Sequence, residues 1–399
     1  MLQLSFVNFK PNSHILLEGA PATDRFFIIQ SGRARSYNEV HVPGIMPEVL
    51  GPGDFIGVIA CMSGHSQTKS VVAIEPVTAI MVMKSQYSEL IAQNTPVALK
   101  IVKSFARDMR IVNDQLTKLT AKRTLIDSPE AIYPIAEYYE HQGLTDIACF
   151  GYYQYIKHCS SGLNIEKAKE KFKQYKPRSK AVYFEPTNEM IRNYPANTMI
   201  MTECQKGADM FIIQEGSVRI TKVVDGKEVV LAILKKGDMF GEMALLENKP
   251  RSASAIAHTT CSLMVVNNAN FNQMVATQPQ MISKLTTTFA ERLWAMCRQL
   301  ANTQLSDPRE KLIDVIALQL EKLKVLPVKG EKYNTGISVA DLMKLGGIPN
   351  EQQNSVYNLL MSDQNIVIEN SIIIVPNVPE LIKQAAFYRK QSTRHAKDR

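Results

Sequence analysis

The chain repeats itself, and that limits its fold more than any other feature does. FIIQSGRAR from Phe27 reappears as FIIQEGSVR from Phe211, so Phe27, Ile28, Ile29, Gln30, Gly32 and Arg35 match Phe211, Ile212, Ile213, Gln214, Gly216 and Arg219. The offset is 184, which is 211 less 27. It carries Gly53-Asp54 onto Gly237-Asp238, Gly57 onto Gly241, Ala60 onto Ala244, Ser70 onto Ser254 and Pro11 onto Pro195. One constant offset over this length, without a gap, points to a duplicated domain.

Each copy has the texture of β-structure. Short β-branched and apolar runs such as FFIIQ, VTAIMVM, SVRITKVV and VVLAILK are separated by Gly, Asp and Pro. DGKE at 225–228 reads as a hairpin turn. Each copy then ends in a long helical pattern, VALKIVKSFARDMRIVNDQLTKL in the first and PQMISKLTTTFAERLWAMCRQLANTQL in the second. A small antiparallel barrel followed by a long helix is the expected unit. Between the copies, 128–176 reads as amphipathic helices broken at Gly143, with NIEKAKEKFKQY as a further helix. Tyr138, Tyr139, Gly143, Ala148 and Tyr152 or Tyr153 resemble one tetratricopeptide-type hairpin; a generic helical linker fits the segment as well.

Length and composition set the outer bounds. The chain has 399 residues, 45% hydrophobic and 21% charged, enough for several domains with their own cores. MLQLSFVNFKPNSH carries no basic region leading into a long apolar run, so neither a signal peptide nor a membrane span is expected, and the expected compartment is the cytoplasm. Cys61, Cys149, Cys159, Cys204, Cys261 and Cys297 are scattered and form no C-x-x-C pair, which fits reduced, buried thiols. The net charge of +8 permits an anionic partner without requiring one.

The chemistry concentrates in FGEMALLENKPRSASA at 240–255. Gly241 lets the backbone come close to a small ligand. Arg251 offers a planar fork of donors to a phosphate, and Ser252 adds a hydroxyl. Glu242 only accepts hydrogen bonds, so it suits a ligand hydroxyl. A ligand with one phosphate and one hydroxyl a few ångströms apart, such as a nucleotide, would satisfy both charges.

This stretch resembles the phosphate-binding cassette of cyclic nucleotide-binding domains: Phe-Gly-Glu, an apolar-Ala-Leu run, then Pro-Arg and small residues. The resemblance extends over about 183–300. It implies Glu242 on the ribose 2′-hydroxyl and Arg251 on the cyclic phosphate. Phe240, Gly241, Met243 and Ala244 would line the sugar-phosphate pocket, and Ser252 and Ala253 would sit beside the phosphate. The ligand is then cAMP or cGMP, with no cofactor. On the helix after the barrel, Met296 and Cys297 fall where relatives contact the base, and Trp294 is available either to stack on a base or to pack in a helix seam. The first copy departs from the pattern. Val58 stands opposite Glu242 and Gln67 opposite Arg251, so this barrel is expected to keep the fold without the ligand, or to take a different small ligand.

Beyond the second copy, DPREKLIDVIALQLEKL reads as a helix capped by Asp307 with Pro308 at its first position. ISVADLMKLGG follows as a short helix with Ser338 and Asp341 as a capping pair, then PNEQQNSVYNLLMSDQNIV as a helix and IVIENSIIIVP as a two-strand hairpin. This order resembles the winged helix-turn-helix of the Crp–FNR family of bacterial regulators. The candidate recognition residues are Asn350, Glu351, Gln352, Asn354 and Ser355, and no Lys or Arg occurs between Lys344 and Lys383.

The expected class is therefore α+β and multidomain. The boundaries are a degenerate cyclic nucleotide-binding-like barrel (1–118), a helical linker (119–181), a jelly-roll cyclic nucleotide-binding domain with its long helix (182–305), a winged helix (306–380) and a basic, solvated tail (381–399). The expected function is a cyclic nucleotide-responsive transcription regulator, dimerising through helix 279–300 and binding DNA. The alternative is a nucleotide-sensing adaptor that binds proteins. No metal-spaced histidine pair, phosphate loop, nucleophile elbow or iron–sulfur cysteine cluster points to an enzyme or redox sensor.

Overall fold

Strand-forming runs of the two repeats pair in the same order. The computed structural model describes all residues except 1–3, 40–45, 122–127, 184–188, 225, 248, 324, 326–331 and 398–399. The first repeat comprises β1 (Ser5–Phe9), β2 (His14–Leu16), β3 (Arg25–Ser31), β4 (Ala34–Tyr37), β5 (Glu48–Leu50), β6 (Phe55–Ile56), helix α1 (Val58–Ser63), β7 (Ser70–Ala73) and β8 (Val77–Met83), then helices α2 (Tyr87–Gln93) and α3 (Thr95–Ala121). Its sheets run β1-β8-β3-β6 and β2-β7-β4-β5, with every pairing antiparallel.

Next come α4 (Ile132–His141), α5 (Thr145–His158) and α6 (Ile165–Tyr175). The expected break at Gly143 is present, with φ +72°. The second repeat comprises β9 (Ile191–Tyr194), β10 (Met199–Met201), β11 (Met210–Glu215), β12 (Ser217–Val224), β13 (Lys227–Lys235), β14 (Met239–Phe240), α7 (Glu242–Glu247), β15 (Ser254–Ala257), β16 (Cys261–Val266), α8 (Asn268–Thr277) and α9 (Pro279–Asn302). Its sheets, β14-β11-β16-β9 and β10-β15-β12-β13, reproduce the first pair strand for strand. The turn expected at 225–228 falls between β12 and β13; Asp225 itself lies outside the described residues.

Shared residues have shared structural reasons. Gly32 and Gly216 hold φ of +83° and +80°, and a Cβ would sit 2.1 Å from the Pro76 carbonyl oxygen and 2.3 Å from that of Thr260. Only glycine fits there. Ile28 pairs with Ile80 and Ile212 with Met264, and both strands bulge one residue later, between Ile29 and Ser31 and between Ile213 and Glu215. The gap-free offset does not hold throughout. Asn12 N donates to Ala73 O and Asn197 N to Ala257 O, while Glu18 N donates to Ser70 Oγ and Glu203 N to Ser254 Oγ. The first strands therefore correspond at 185, which is 197 less 12, and 184 begins only with β3 and β11. The first repeat carries one extra residue between Gly19 and Ile29, and the Pro11–Pro195 match is a coincidence of sequence.

The chain divides into two compact units that do not follow the repeats. One is Met1–Gln93, Ile111–Thr120 and Ser283–Arg399; the other is Asn94–Arg110 and Ala121–Ile282. Most of α9 therefore joins the unit of the first barrel, and the front of α3 joins the unit of the second. On α9, Ile282, Leu285, Phe289, Leu293 and Trp294 are at most 2% exposed.

The C-terminal region begins with α10 (Pro308–Lys322), β17 (Tyr333–Ser338), α11 (Val339–Leu345) and α12 (Gln353–Met361). It closes with β18 (Val367–Glu369), β19 (Ile372–Val375) and α13 (Val378–Lys397). Asp307 Oδ1 accepts from the N–H groups of Arg309 and Glu310, and Ser338 Oγ accepts from Asp341 N, as the capping patterns imply. Asn370 and Ser371, at φ +50° and +64°, make the two-residue turn between β18 and β19. Three details differ from the sequence reading. β17 adds a third strand against β19, α12 stops at Met361, and the segment expected as a tail is helical through Lys397. Leu312, Ile316, Leu342, Val356, Leu360 and Ile373 form the core of this region. Among the described residues, no helix is long and apolar enough to cross a membrane.

Candidate functional site

The site is a turn and a loop drawn together by one arginine. The turn runs from β14 into α7. Phe240 is buried and stacks on Phe211 of β11, ring centroids 5.1 Å apart, which fixes the start of the turn. Gly241 follows at φ +79°, and a Cβ there would fall 2.7 Å from Arg251 Nη1. Glycine is required both for the backbone and for the approach of the guanidinium. Glu242, Met243 and Ala244 open α7 and are all buried. The loop enters β15 through Arg251, Ser252 and Ala253. The Ser252 hydroxyl faces Met243 Sδ at 3.6 Å.

Arg251 closes the two segments on each other. Its Nη1 donates to Gly241 O at 2.7 Å. Its backbone is clamped: Arg251 N donates to Gln205 O and Cys204 N donates to Arg251 O, both at 2.9 Å. The side chain is 4% exposed, yet Nε has no hydrogen-bond partner among the described residues. Burial holds the guanidinium down to about 10, with Asp209, Glu242 and Tyr194 pulling it partly back. Asp209 is engaged elsewhere, 3.5 Å from Arg192. A buried cation with an open donor and no ion pair among the described residues is costly. A bound anion relieves that cost.

All eight residues singled out in the second repeat thus gather around this turn and loop. Two further contributors escaped the sequence reading. Gly207 backs the guanidinium, since a Cβ there would lie 3.0 Å from Nη2, and Asp209 is the charge that acts on it most strongly after burial. Both sit between β10 and β11, outside the cassette. The presence of Gly-x-Asp ahead of the second FIIQ run was the only available signal.

Equivalent positions in the first repeat keep the frame without the charges. Gly57 holds φ +80°, Gly19 N donates to Gln67 O, and Gln67 N donates to Ala20 O, both at 2.8 Å. Val58 and Gln67 are buried where Glu242 and Arg251 stand, and Gln67 Nε2 has no partner among the described residues. The neighbouring charges differ as well. In the second repeat Lys222 Nζ lies 3.4 Å from Glu203 Oε1, both buried. In the first, Asn38 replaces the lysine, and Glu39 N donates to Glu18 at 2.6 Å while the Glu39 carboxylate accepts from Ser70. Burial raises the Glu18 carboxyl above its ordinary range; the hydrogen bond from the Glu39 N–H offsets part of the rise, and the Glu39 carboxylate adds a smaller push upward.

Met296 and Cys297 belong to the compact unit that holds the first barrel. Trp294 stacks on His65, centroids 3.8 Å apart and planes 14° apart. A long-helix residue that reaches the second cassette is Arg110 of α3, whose Nη2 donates to Pro250 O at 3.2 Å. In the C-terminal region Glu351, Gln352, Asn354 and Ser355 are exposed, on a short 3-10 turn and the first turn of α12; Asn350 lies in the 3-10 turn. Tyr357, Leu359 and Met361 are exposed on the same helix. Among the described residues, no cluster of three or more His, Cys, Asp or Glu is placed to hold a metal ion.

Comparison with known proteins agrees with the repeat. The family model of the cyclic nucleotide-binding domain matches residues 6–94 and again 191–278. It is similar to the cAMP-activated global transcriptional regulator CRP of Salmonella typhimurium, 25% identical over 187 residues, 46% of this chain and 88% of that protein. A shorter stretch of 67 residues is 39% identical to the cAMP-dependent protein kinase regulatory subunit of Mycosarcoma maydis, over 17% of this chain and 13% of that one. Among solved structures, a CooA mutant from Carboxydothermus hydrogenoformans is similar at 18% identity and a TM-score of 0.38, over 49% of this chain and 87% of that one.

Proposed function

We propose that this chain is a cytoplasmic transcription regulator that binds one cyclic mononucleotide, cAMP or cGMP, in its second barrel and DNA through a C-terminal winged helix. One observation carries the ligand reading: Arg251, a buried guanidinium whose Nε has no partner among the described residues, packed against Gly207 and Gly241 beside the buried carboxylate of Glu242. A cyclic phosphate supplies the anion that Arg251 lacks, and a ribose 2′-hydroxyl supplies the donor that Glu242 accepts. The first barrel matches the same family model, but with Val58 and Gln67 it offers neither charge, and we assign it no cyclic nucleotide. The similarity to the CRP regulators supports the regulatory role. The order of α10, α11, α12 and the β18–β19 hairpin supports the winged helix. Calorimetric titration of the full chain with cAMP and with cGMP tests the ligand; absence of heat with both contradicts it.

The exposed face of α12 favours one second reading. With the 3-10 turn before it, it shows Glu351, Gln352, Asn354, Ser355, Tyr357 and Leu359, without a Lys or Arg between Lys344 and Lys383. Phosphate contacts come mainly from Lys and Arg. This face also suits a protein partner, and the chain would then be a nucleotide-sensing adaptor. A gel shift on genomic fragments at low salt, with cyclic nucleotide present, separates the two. A salt-dependent shift supports the regulator, and no shift supports the adaptor.

A further inference from the structure

Arg110 and Trp294 occupy one position of the repeat. Phe105-Ala106 and Phe289-Ala290 precede them at the offset of 184, and Gln115-Leu116 and Gln299-Leu300 follow at the same offset. Within one compact unit Arg110 reaches Pro250 in the second cassette; within the other Trp294 reaches His65 in the first. Both side chains are nearly inaccessible, at 4% and 2%. Each long helix thus touches the cassette of the other repeat, from the same helical position.

The second contact falls on a sensitive peptide. The carbonyl of Pro250 belongs to the peptide bond whose N–H is Arg251 N. Arg110 holds that carbonyl at 3.2 Å, and Gln205 O holds that N–H at 2.9 Å. The peptide plane is pinned on both sides, and it sets the direction in which Arg251 leaves the backbone. In the first repeat the N–H of Gln67 is pinned likewise by Ala20 O, while the helix contact is an aromatic stack. Tyr87 Oη and Thr286 Oγ1, 2.8 Å apart and buried, tie α9 to the same unit.

We propose that position 110/294 is a reciprocal latch, and that Arg110 is a positioning residue of the second cassette, delivered by the helix of the first repeat. The first repeat then has a purpose without a nucleotide of its own: it sends Arg110 to the site and receives Trp294. The ligand arm of the test rests on the proposed function; the exchange arm does not.

Hydrogen–deuterium exchange on the full chain without ligand decides it. Arg110→Met keeps the apolar stem and removes the donors; Arg110→Lys keeps a donor. The Met variant is expected to speed exchange of the 203–206 and 242–253 segments by about tenfold, with 57–67 unchanged as the internal control, and the Lys variant is expected to restore much of the protection. Trp294→Leu is expected to show the reverse pattern, faster at 57–67 only. With cAMP as the probe, Arg110→Met should bind about tenfold more weakly. Wild-type exchange at 203–206 and 242–253 in the Met variant overturns the latch. Acceleration in Met that Lys does not relieve makes Arg110 a packing residue and overturns the positioning role. If the wild-type chain binds neither cAMP nor cGMP, the functional reading fails, and the exchange result still settles the latch.

Discussion

The two barrels are the same drawing with different ink at two points. Both keep the eight strands, the left-handed glycine before the cassette helix, and the clamp that pins the backbone of residue 67 or 251. They differ in what the clamp presents: a neutral amide and a valine in the first, a guanidinium and a carboxylate in the second. Since the first barrel folds without the pair, the fold does not require it. Among the described residues the buried Arg251 guanidinium has no ion pair, which burdens the second barrel, and the proposed ligand would relieve that burden.

The strongest way to break this contrast is to write the first repeat into the second. Arg251→Gln should weaken cAMP or cGMP binding at least about a hundredfold, because charge-assisted contacts of about 1.5–3 kcal/mol each are lost; calorimetry reads it. Next in size is the charge pair beneath the cassette. Glu203→Gln leaves Lys222 buried without its partner and should cost about 3 kcal/mol in a denaturant titration. Glu242→Val copies Val58 and should cost about 1.5–3 kcal/mol of binding. That loss should vanish when the wild type and the variant are compared with 2′-deoxy-cAMP, which has no hydroxyl for Glu242 to accept.

Two smaller effects concern the fold alone. The Arg251 guanidinium sits at about 10, below its ordinary value, chiefly because of burial. For a base this sign means that the charged form burdens the fold below pH 10 and that the burden is relieved above it. Arg251→Gln should therefore stabilise the ligand-free chain by about 1–3 kcal/mol at pH 7, seen as a higher midpoint in urea. Glu18 has the opposite partner set from Glu203: its carboxyl is raised, so its contribution is fully present at low pH and is lost as pH rises through the shifted value. Glu18→Gln should be neutral or stabilising at pH 7 by less than about 1 kcal/mol, where Glu203→Gln destabilises.

The repeat and the cassette were legible because each is a local pattern. A glycine with no room for Cβ and a buried acid and base beside small residues leave marks in sequence. The one-residue slip before β3 was hidden by the accidental match of Pro11 with Pro195. The exchange of long helices was hidden for a deeper reason. An apolar stripe says that α3 and α9 bury one face, not which barrel covers it, so Arg110 was passed over. Gly207 and Asp209 escaped because they reach Arg251 through space, from a loop more than forty residues earlier. β17 was missed because Gly336 interrupts a short run that leads directly into α11.

The central claim is that one of two matched domains is a nucleotide site and the other is not. Calorimetric stoichiometry on the full chain tests it most directly. The expected result is one cyclic nucleotide bound per chain, reduced to none at micromolar concentrations by Arg251→Gln and unchanged by Gln67→Ala. Two nucleotides per chain, or full binding by Arg251→Gln, would contradict it.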